Sequence, residues 1–434
     1  LAASPTDDLL CHVNEPLRLE FDGRDDLHRY LCETFPASAQ IDDRLSATVG
    51  GLRAAQRTLA AIEPAVYART RNHLDGAVTQ LSPYLRHGVL GLVEVRDAAL
   101  RRVGQRYEAQ KLVQELAWRD YFQHCWHALG DAVWKDVEPY KTGLSPSDYA
   151  DELPADIRAG TTGVDYIDAF VAELHETGYL HNHARMWLAS YVVHGRRVKW
   201  QAGARWFLEH LLDGDEASNN LSWQWVASTF AAKPYIFNRE NVVRNAGDRF
   251  PVHSRVDPFD DSYERITERM FPVGMPDARP PKRVRAVASA DRRGDVGNAV
   301  VWVHDGMLSH EHPALRHGGP AIFVYDEAWC ATASLKRIAF IHECLLEMPG
   351  VRVVRSSDVP RTLIDFAQEH GAIQLVTSTS PDPRVRRTIE AIEASLPVIT
   401  IDRPAFAELR EGQDLPRFSR YWSKVERQVA ASTR

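Results

Sequence analysis

Residues 211–228, LLDGDEASNNLSWQWVAS, decide how this chain is read. Asp213, Asp215, Asn219 and Asn220 stand just ahead of Trp223 and Trp225. An apolar run with helical spacing (Trp206, Phe207, Leu208, Leu211, Leu212) precedes them, and Trp225, Val226 and Ala227 follow. Buried carboxylates and amides need partners, or each costs a few kcal/mol. Two readings fit. In one, Asp213 and Asp215 cap a helix and the tryptophans are core. In the other, the polar groups form a cradle that pairs with a ligand.

The chain around this stretch has 434 residues, enough for two domains with cores of their own. Hydrophobic content of 44% and charged content of 26% are those of an ordinary globular protein. No apolar run approaches the roughly 20 residues that span a bilayer. The start, LAASPTDDLL, lacks a basic segment followed by an apolar one, so no signal peptide is expected. Cys11, Cys32, Cys125, Cys330 and Cys344 form no CxxC pair, which predicts neither a disulfide framework nor a zinc or iron–sulfur site. A reducing cytoplasm fits. Net charge of −7 weighs against a non-specific nucleic-acid coat but allows DNA binding through a local basic surface.

Residues 1–40 are weakly patterned and read as an extension. From 41 to 245 the periodicity is helical almost throughout, as in LRAAQRTLAAI (52–62), DYIDAFVAELHETG (165–178) and ARWFLEHLL (204–212). This predicts an all-α domain. Residues 246–297 are rich in Pro, Asp and Arg and read as a linker with one short helix. From 298 to 434 β-branched runs (299–303, 321–325, 351–354, 373–377, 397–401) alternate with helical patterns, and 418–429 reads as a closing helix. That grammar predicts a doubly wound α/β, Rossmann-like domain with a parallel sheet. No GxGxxG or GxxxxGK[ST] follows a strand, so no Gly-rich nucleotide loop is expected there.

Three further stretches carry chemistry. In QELAWRDYFQHCW (114–126), Glu115, Trp118, Arg119 and Phe122 share one helix face. They are either a Glu115–Arg119 surface pair beside a tryptophan, or a wall that stacks on a planar ring and binds its edge. In TGYLHNHARMWLASYVVHG (177–195), Asn182, Arg185 and Met186 share a face. His181, His183 and His194 lack metal-ligand spacing, so no metal site is expected. In GAVTQLSPYLRHG (76–88), Ser82 caps a helix with Pro83 at its first position, and Thr79 and Ser82 could hold a phosphate.

Together TQLSPYLRHG, ELAWRDYFQ, TGYLHNHARMWLASYVVHG and LLDGDEASNNLSWQWVAST resemble, in order, the flavin domain of the photolyase/cryptochrome family across about residues 46–245. STFAAKPYIFNRENVVR (228–244) and TTGVDYIDAF (161–170) look closer to its short photolyase-like branch. NAVVWVHDGMLSHEHPALRHG (298–318) is similar to the start of the family's α/β antenna domain. That domain comes first in the family and last here, so the chain resembles a circular permutation. HDGMLS (304–309) replaces the usual RRDLR, a departure that weighs against a second, antenna chromophore.

The resemblance implies FAD in the helical domain. Tyr67, Thr79, Leu81 and Ser82 match its phosphate-binding positions, and Arg119 also lies at the flavin site. Arg185 is expected to pair with Asp213 beside the flavin ring, Asp215 to meet the ribose or the flavin edge, and Asn219 to face flavin N5. Trp118 and Trp225 match indoles that flank a flipped-out pyrimidine dimer. Glu115 matches the carboxyl that binds it, and Asn182 and Met186 match enzymes of cyclobutane dimers rather than (6-4) lesions. Trp223 and Trp200 match an electron-transfer chain, with Trp134 as its third member. The implied activity is light-driven, FADH⁻-dependent splitting of cyclobutane pyrimidine dimers in single- or double-stranded DNA, by a cytoplasmic monomer. The alternatives are a cryptochrome-like photoreceptor without repair activity and a flavoprotein without a light role.

Overall fold

The computed structural model describes residues 15–276, 282, 284–287 and 296–430. They form two compact units, each built from separated pieces of chain.

The first unit takes residues 15–57, 83–91 and 296–405. Its sheet has five strands, β1 (Ala299–Val303), β2 (Ala321–Asp326), β3 (Val351–Ser356), β4 (Gln374–Thr377) and β5 (Val398–Thr400). All pairings are parallel, in the order β3-β2-β1-β4-β5. In register, Val301 lies opposite Ala321 on one side and Val376 on the other. Helices Leu335–Leu345, Val359–Glu369 and Pro383–Glu393 are the crossovers. β1 is buried along its whole length, which is why it reads as an unbroken apolar run. Val300, Trp302, Ile322, Leu375, Leu363, Phe366 and Ile392 form part of the core between sheet and helices. The doubly wound sheet expected from the sequence is present.

The described N-terminal residues, 15–57, lean on the α/β unit. Helix Leu335–Leu345 is buried on every side, although it carries Lys336, Arg337, His342 and Glu343. Groups of that kind are buried only when paired. Residues 15–57 supply partners: Asp42 for Lys336 at 2.5 Å, Arg24 and the Gly50 N–H for Glu343 at 2.8 and 2.7 Å, and the Arg18 carbonyl for His342 at 2.9 Å. Leu17 N–H also donates to the Val353 carbonyl, covering part of the exposed edge of β3. Residues 41–57, expected in the helical domain, therefore lie in the α/β unit.

The second unit takes residues 58–82, the described residues of 92–288, and 406–430. It is helical, and its core includes Phe170, Trp187, Trp200, Trp206, Phe207 and Trp223. Two segments belong here that the sequence reading places elsewhere. Most of the expected linker is built in. It holds the short helix Tyr263–Met270, and Phe250, Phe259, Ile266, Met270 and Phe271 join the core. Phe259 stacks on Phe237 at 4.1 Å between ring centroids. The closing helix, Phe418–Ala430, packs on helix Gln110–Leu129 rather than on the sheet, with the Tyr421 hydroxyl donating to Asp120. Just before it, Arg417 donates to both Glu138 oxygens at 2.7 and 2.8 Å.

Candidate functional site

In the 211–228 stretch the expected cap is present. Helix Glu216–Ala227 begins there, and Asp215 is its N-cap, accepting from the Ala217 N–H at 3.0 Å. The same buried carboxylate accepts from the Ser218 hydroxyl at 2.9 Å and from Gln123 Nε2 at 3.0 and 2.9 Å, and it pairs with Arg119 at 2.9 Å. Arg119 and Gln123 lie one turn apart on one face of helix Gln110–Leu129. Gln123 was not singled out from the sequence, though its spacing from Arg119 was a usable signal.

Asp213 differs. Arg185 donates to its Oδ2 at 2.9 Å and, through Nε, to the Leu180 carbonyl at 2.9 Å. Oδ1 of Asp213 is buried and has no hydrogen-bond partner among the described residues. Burial opposes ionisation of this carboxyl. The Arg185 guanidinium overrides that, with help from Ser82 and Arg119, and holds its pKa below the usual carboxylate range. A buried, ionised carboxylate with an oxygen left over costs stability unless a donor reaches it. Nearby in sequence, Asn220 Nδ2 is also buried without a partner among the described residues. Asn219 donates through Nδ2 to the Ala204 carbonyl and to Asn220 Oδ1, both at 3.0 Å.

Tyr67 lies on helix Pro64–Thr70, and burial, then the charge of Glu115, pushes its phenol up. Leu81 is buried, and its N–H reaches Thr79 Oγ1 only at 3.5 Å. Between them Gln80 has φ 52°, a left-handed turn that costs a residue with a side chain. Ser82 is the first residue of a helix that runs only to Arg86. One turn carries little dipole, so hydroxyls and backbone N–H groups, more than the helix end, are what this corner offers a phosphate.

The Glu115–Arg119 pair, one of the two readings of this face, is absent, because Arg119 pairs with Asp215. Glu115 pairs instead with Lys111 at 2.8 Å and faces Arg71 at 3.8 Å, with a third of its side chain exposed. Trp118 is half-buried and stacks face to face on Phe418 at 3.8 Å and 11°. Phe418 escaped the sequence reading because its helix was placed with the sheet. Asn182 is exposed, with Nδ2 3.5 Å from Met186 Sδ. His181 caps their helix, its Nδ1 accepting from the His183 N–H at 3.1 Å. Burial lowers both histidines to about 4, so both rings are neutral near pH 7. Among the described residues, no group of His, Cys, Asp or Glu side chains is arranged to hold a metal.

Trp223 is buried, its ring edge-on to Phe207 at 5.0 Å. A Cβ on Gly203 would lie 2.2 Å from this indole, so only glycine allows helix Trp200–His210 to come so close. Trp200 starts that helix and stacks with Trp134 at 6.4 Å and 13°. Trp225 is half-buried beside Tyr235, 5.4 Å away. In the α/β unit, a separate cavity at the C-terminal ends of β1 and β2 is walled by Trp302, Asp305, Tyr325, Trp329 and Arg384. Both Arg337 and Arg384 lie over the Trp329 ring, at 5.1 and 4.9 Å.

The helical unit thus brings together buried ion pairs, polar atoms without partners among the described residues, and indoles. Residues 112–250 match the family described as FAD binding domain of DNA photolyase. The cofactor of that domain is FAD. Its donors suit Asp213 Oδ1, and its acceptors suit Asn220 Nδ2 and the Ser82 corner. Over 153 residues the chain is 40% identical to a deoxyribodipyrimidine photo-lyase of Streptomyces griseus, covering 35% of this chain and 32% of that protein. Over 176 residues it is 38% identical to a deoxyribodipyrimidine photo-lyase of Thermus thermophilus, covering 40% and 41%. The matches thus span about a third to two fifths of the length of these curated relatives. Among solved structures it is similar to a bacterial class III photolyase from Agrobacterium tumefaciens (22% identity, TM-score 0.40, covering 58% of this chain and 48% of that one). It is also similar to a cryptochrome from Synechocystis (25%, 0.41, covering 46% and 45%).

Proposed function

We propose that this protein is a light-driven DNA lyase that splits cyclobutane pyrimidine dimers. One observation carries the reading: a buried, ionised Asp213, held by Arg185 and with one oxygen unsatisfied, lies within the segment that matches the photolyase FAD-binding family. FAD, when bound, reduced and excited by light, supplies the electron that opens the dimer. The chain's own residues position and shield. With FAD bound, Arg185 and Asp213 would hold the flavin ring, Asp215 with Arg119 would hold the ribose or the flavin edge, Tyr67, Thr79, Leu81 and Ser82 would bind the phosphates, and Asn219 would offer its amide to the ring.

The dimer must leave the stack, and a damaged pair costs less to flip. Trp118 and Trp225 are half-buried indoles that offer stacking faces, and Asn182 and Glu115 offer an amide and a carboxylate to the base edges. Met186 gives a soft apolar contact beside Asn182. Trp223, Trp200 and Trp134 form the route by which electrons reach the flavin. We read the order of the units along the chain, helical residues before the sheet, as a circular permutation. Such rearrangements are tolerated where few contacts cross the new join.

The test is blue-light repair of a thymine-dimer oligonucleotide by the reduced, FAD-loaded protein, with a dark control. Dimers should disappear only in the light. Protein that holds FAD and photoreduces it, yet leaves dimers intact, would move the reading to a photoreceptor.

A further inference from the structure

The indole N–H groups of the three tryptophans end differently. Nε1 of buried Trp223 has no partner among the described residues. Trp200, also buried, donates Nε1–H to Asp136 Oδ1 at 2.7 Å. Trp134, half-buried at the end of the stacked pair, donates Nε1–H to Glu216 Oε2 at 2.9 Å. The guanidinium carbon of Arg205 lies over the Trp134 ring, 5.3 Å from its centre.

An indole that loses an electron becomes a cation whose N–H is far more acidic than before. At Trp134 two neighbours push the same way. Arg205 penalises positive charge on the ring, and Glu216 offers a carboxylate oxygen already in hydrogen-bond contact with the proton. Glu216 lies in the first turn of helix Glu216–Ala227, where the helix end favours an ionised carboxylate at rest. We propose that Glu216 is the proton acceptor of oxidised Trp134, so that electron loss there is trapped by proton transfer. This rests on the reading of the tryptophans as an electron route. One electron leaves Trp134 for the light-excited flavin, by way of Trp200 and Trp223, each of which is refilled in turn. The Nε1 proton moves to Oε2 of Glu216. A neutral indole radical and a neutral carboxylic acid remain, and on recombination the electron and proton both return. With the charge on the ring removed, Arg205 no longer drives the vacancy back towards Trp200.

Flash photolysis of the FAD-loaded protein separates the steps, because cationic and neutral indole radicals absorb differently. Glu216→Gln keeps an oxygen that can accept the N–H bond but is a far weaker base. The expected result is a Trp134 cation that persists, with formation of the neutral radical slowed at least ~10-fold. In flavin-free protein, the Trp134 Nε1–H resonance should keep its hydrogen-bonded shift in Glu216→Gln and lose it in Glu216→Ala, which shows whether the variants keep the site. A neutral radical formed at the wild-type rate in Glu216→Gln overturns the inference alone. An unchanged yield of oxidised indole in Trp134→Phe overturns the electron route at Trp134, and the inference with it.

Discussion

Asp305 in the α/β unit and Asp213 in the helical unit are both buried aspartates beside arginine, and they end differently. Asp305 has two guanidinia on it, Arg86 at 3.0 Å and Arg384 at 3.4 Å, which hold it well below the usual carboxylate range against the cost of burial. Asp213 has one direct guanidinium and a buried oxygen with no partner among the described residues. The first arrangement is closed within the protein. The second leaves a buried acceptor that a bound donor could satisfy.

Asp305→Ala leaves two arginines facing each other without their carboxylate, and should cost roughly 3–5 kcal/mol of stability. Chemical denaturation would measure it. Asp213→Ala strands only Arg185 and removes an atom that was itself unsatisfied, so its cost in the flavin-free protein should be smaller. Equal losses would erase the distinction between the two sites.

Acid acts on a buried group of another kind. His194 is buried and hydrogen-bonds from Nε2 to the Val226 carbonyl at 2.9 Å, and burial lowers it to about 4 from an ordinary 6.5. Between those values the unfolded chain binds the proton and the folded chain does not. Stability therefore rises with pH across this window and falls as pH drops from about 6.5 towards 4, by roughly 3 kcal/mol for this one group. Melting followed from pH 7 to pH 5 checks it, and His194→Gln should flatten the slope.

Much of this was legible in the sequence, for physical reasons that also set its limits. The five strands announce themselves because a parallel sheet covered on both faces must be apolar throughout. The helices show by their period. What escaped was allegiance. Lys336 and Glu343 look like solvent-facing residues until Asp42, Arg24 and Gly50 are known to cover them. Phe418 looks like part of the last α/β helix until it meets Trp118. At the site, the resemblance named the Arg185–Asp213 pair, which is present, but not the Arg119–Asp215 pair. Helical spacing allows Glu115–Arg119 as readily as Lys111–Glu115, and only the approach of Asp215 decides between them.

Smaller effects follow at the rim. Trp118→Ala should weaken binding to a dimer-bearing oligonucleotide by about 1–3 kcal/mol, the usual size of a lost base–indole stack, and Trp225→Ala by a similar amount. Phe418→Leu, which removes the ring backing one face of Trp118, should cost about 1 kcal/mol of the same affinity. Tighter binding in Phe418→Leu would mean that Phe418 holds the place of the base. Smallest of all, Arg352→Ala breaks the exposed pair with Glu369, and should change the melting free energy by less than ~1 kcal/mol.

The most direct measurement is flavin bound per protein in two matched variants, read by visible absorbance after purification with excess FAD. Asp213→Asn keeps the side chain's shape but loses the charge facing Arg185 and swaps one acceptor for a donor. Asp305→Asn does the same in the closed site. The account predicts that Asp213→Asn loses most of its FAD while Asp305→Asn, folded at the assay temperature, keeps it. Full retention of FAD by Asp213→Asn would contradict the claim that this unsatisfied oxygen marks the flavin.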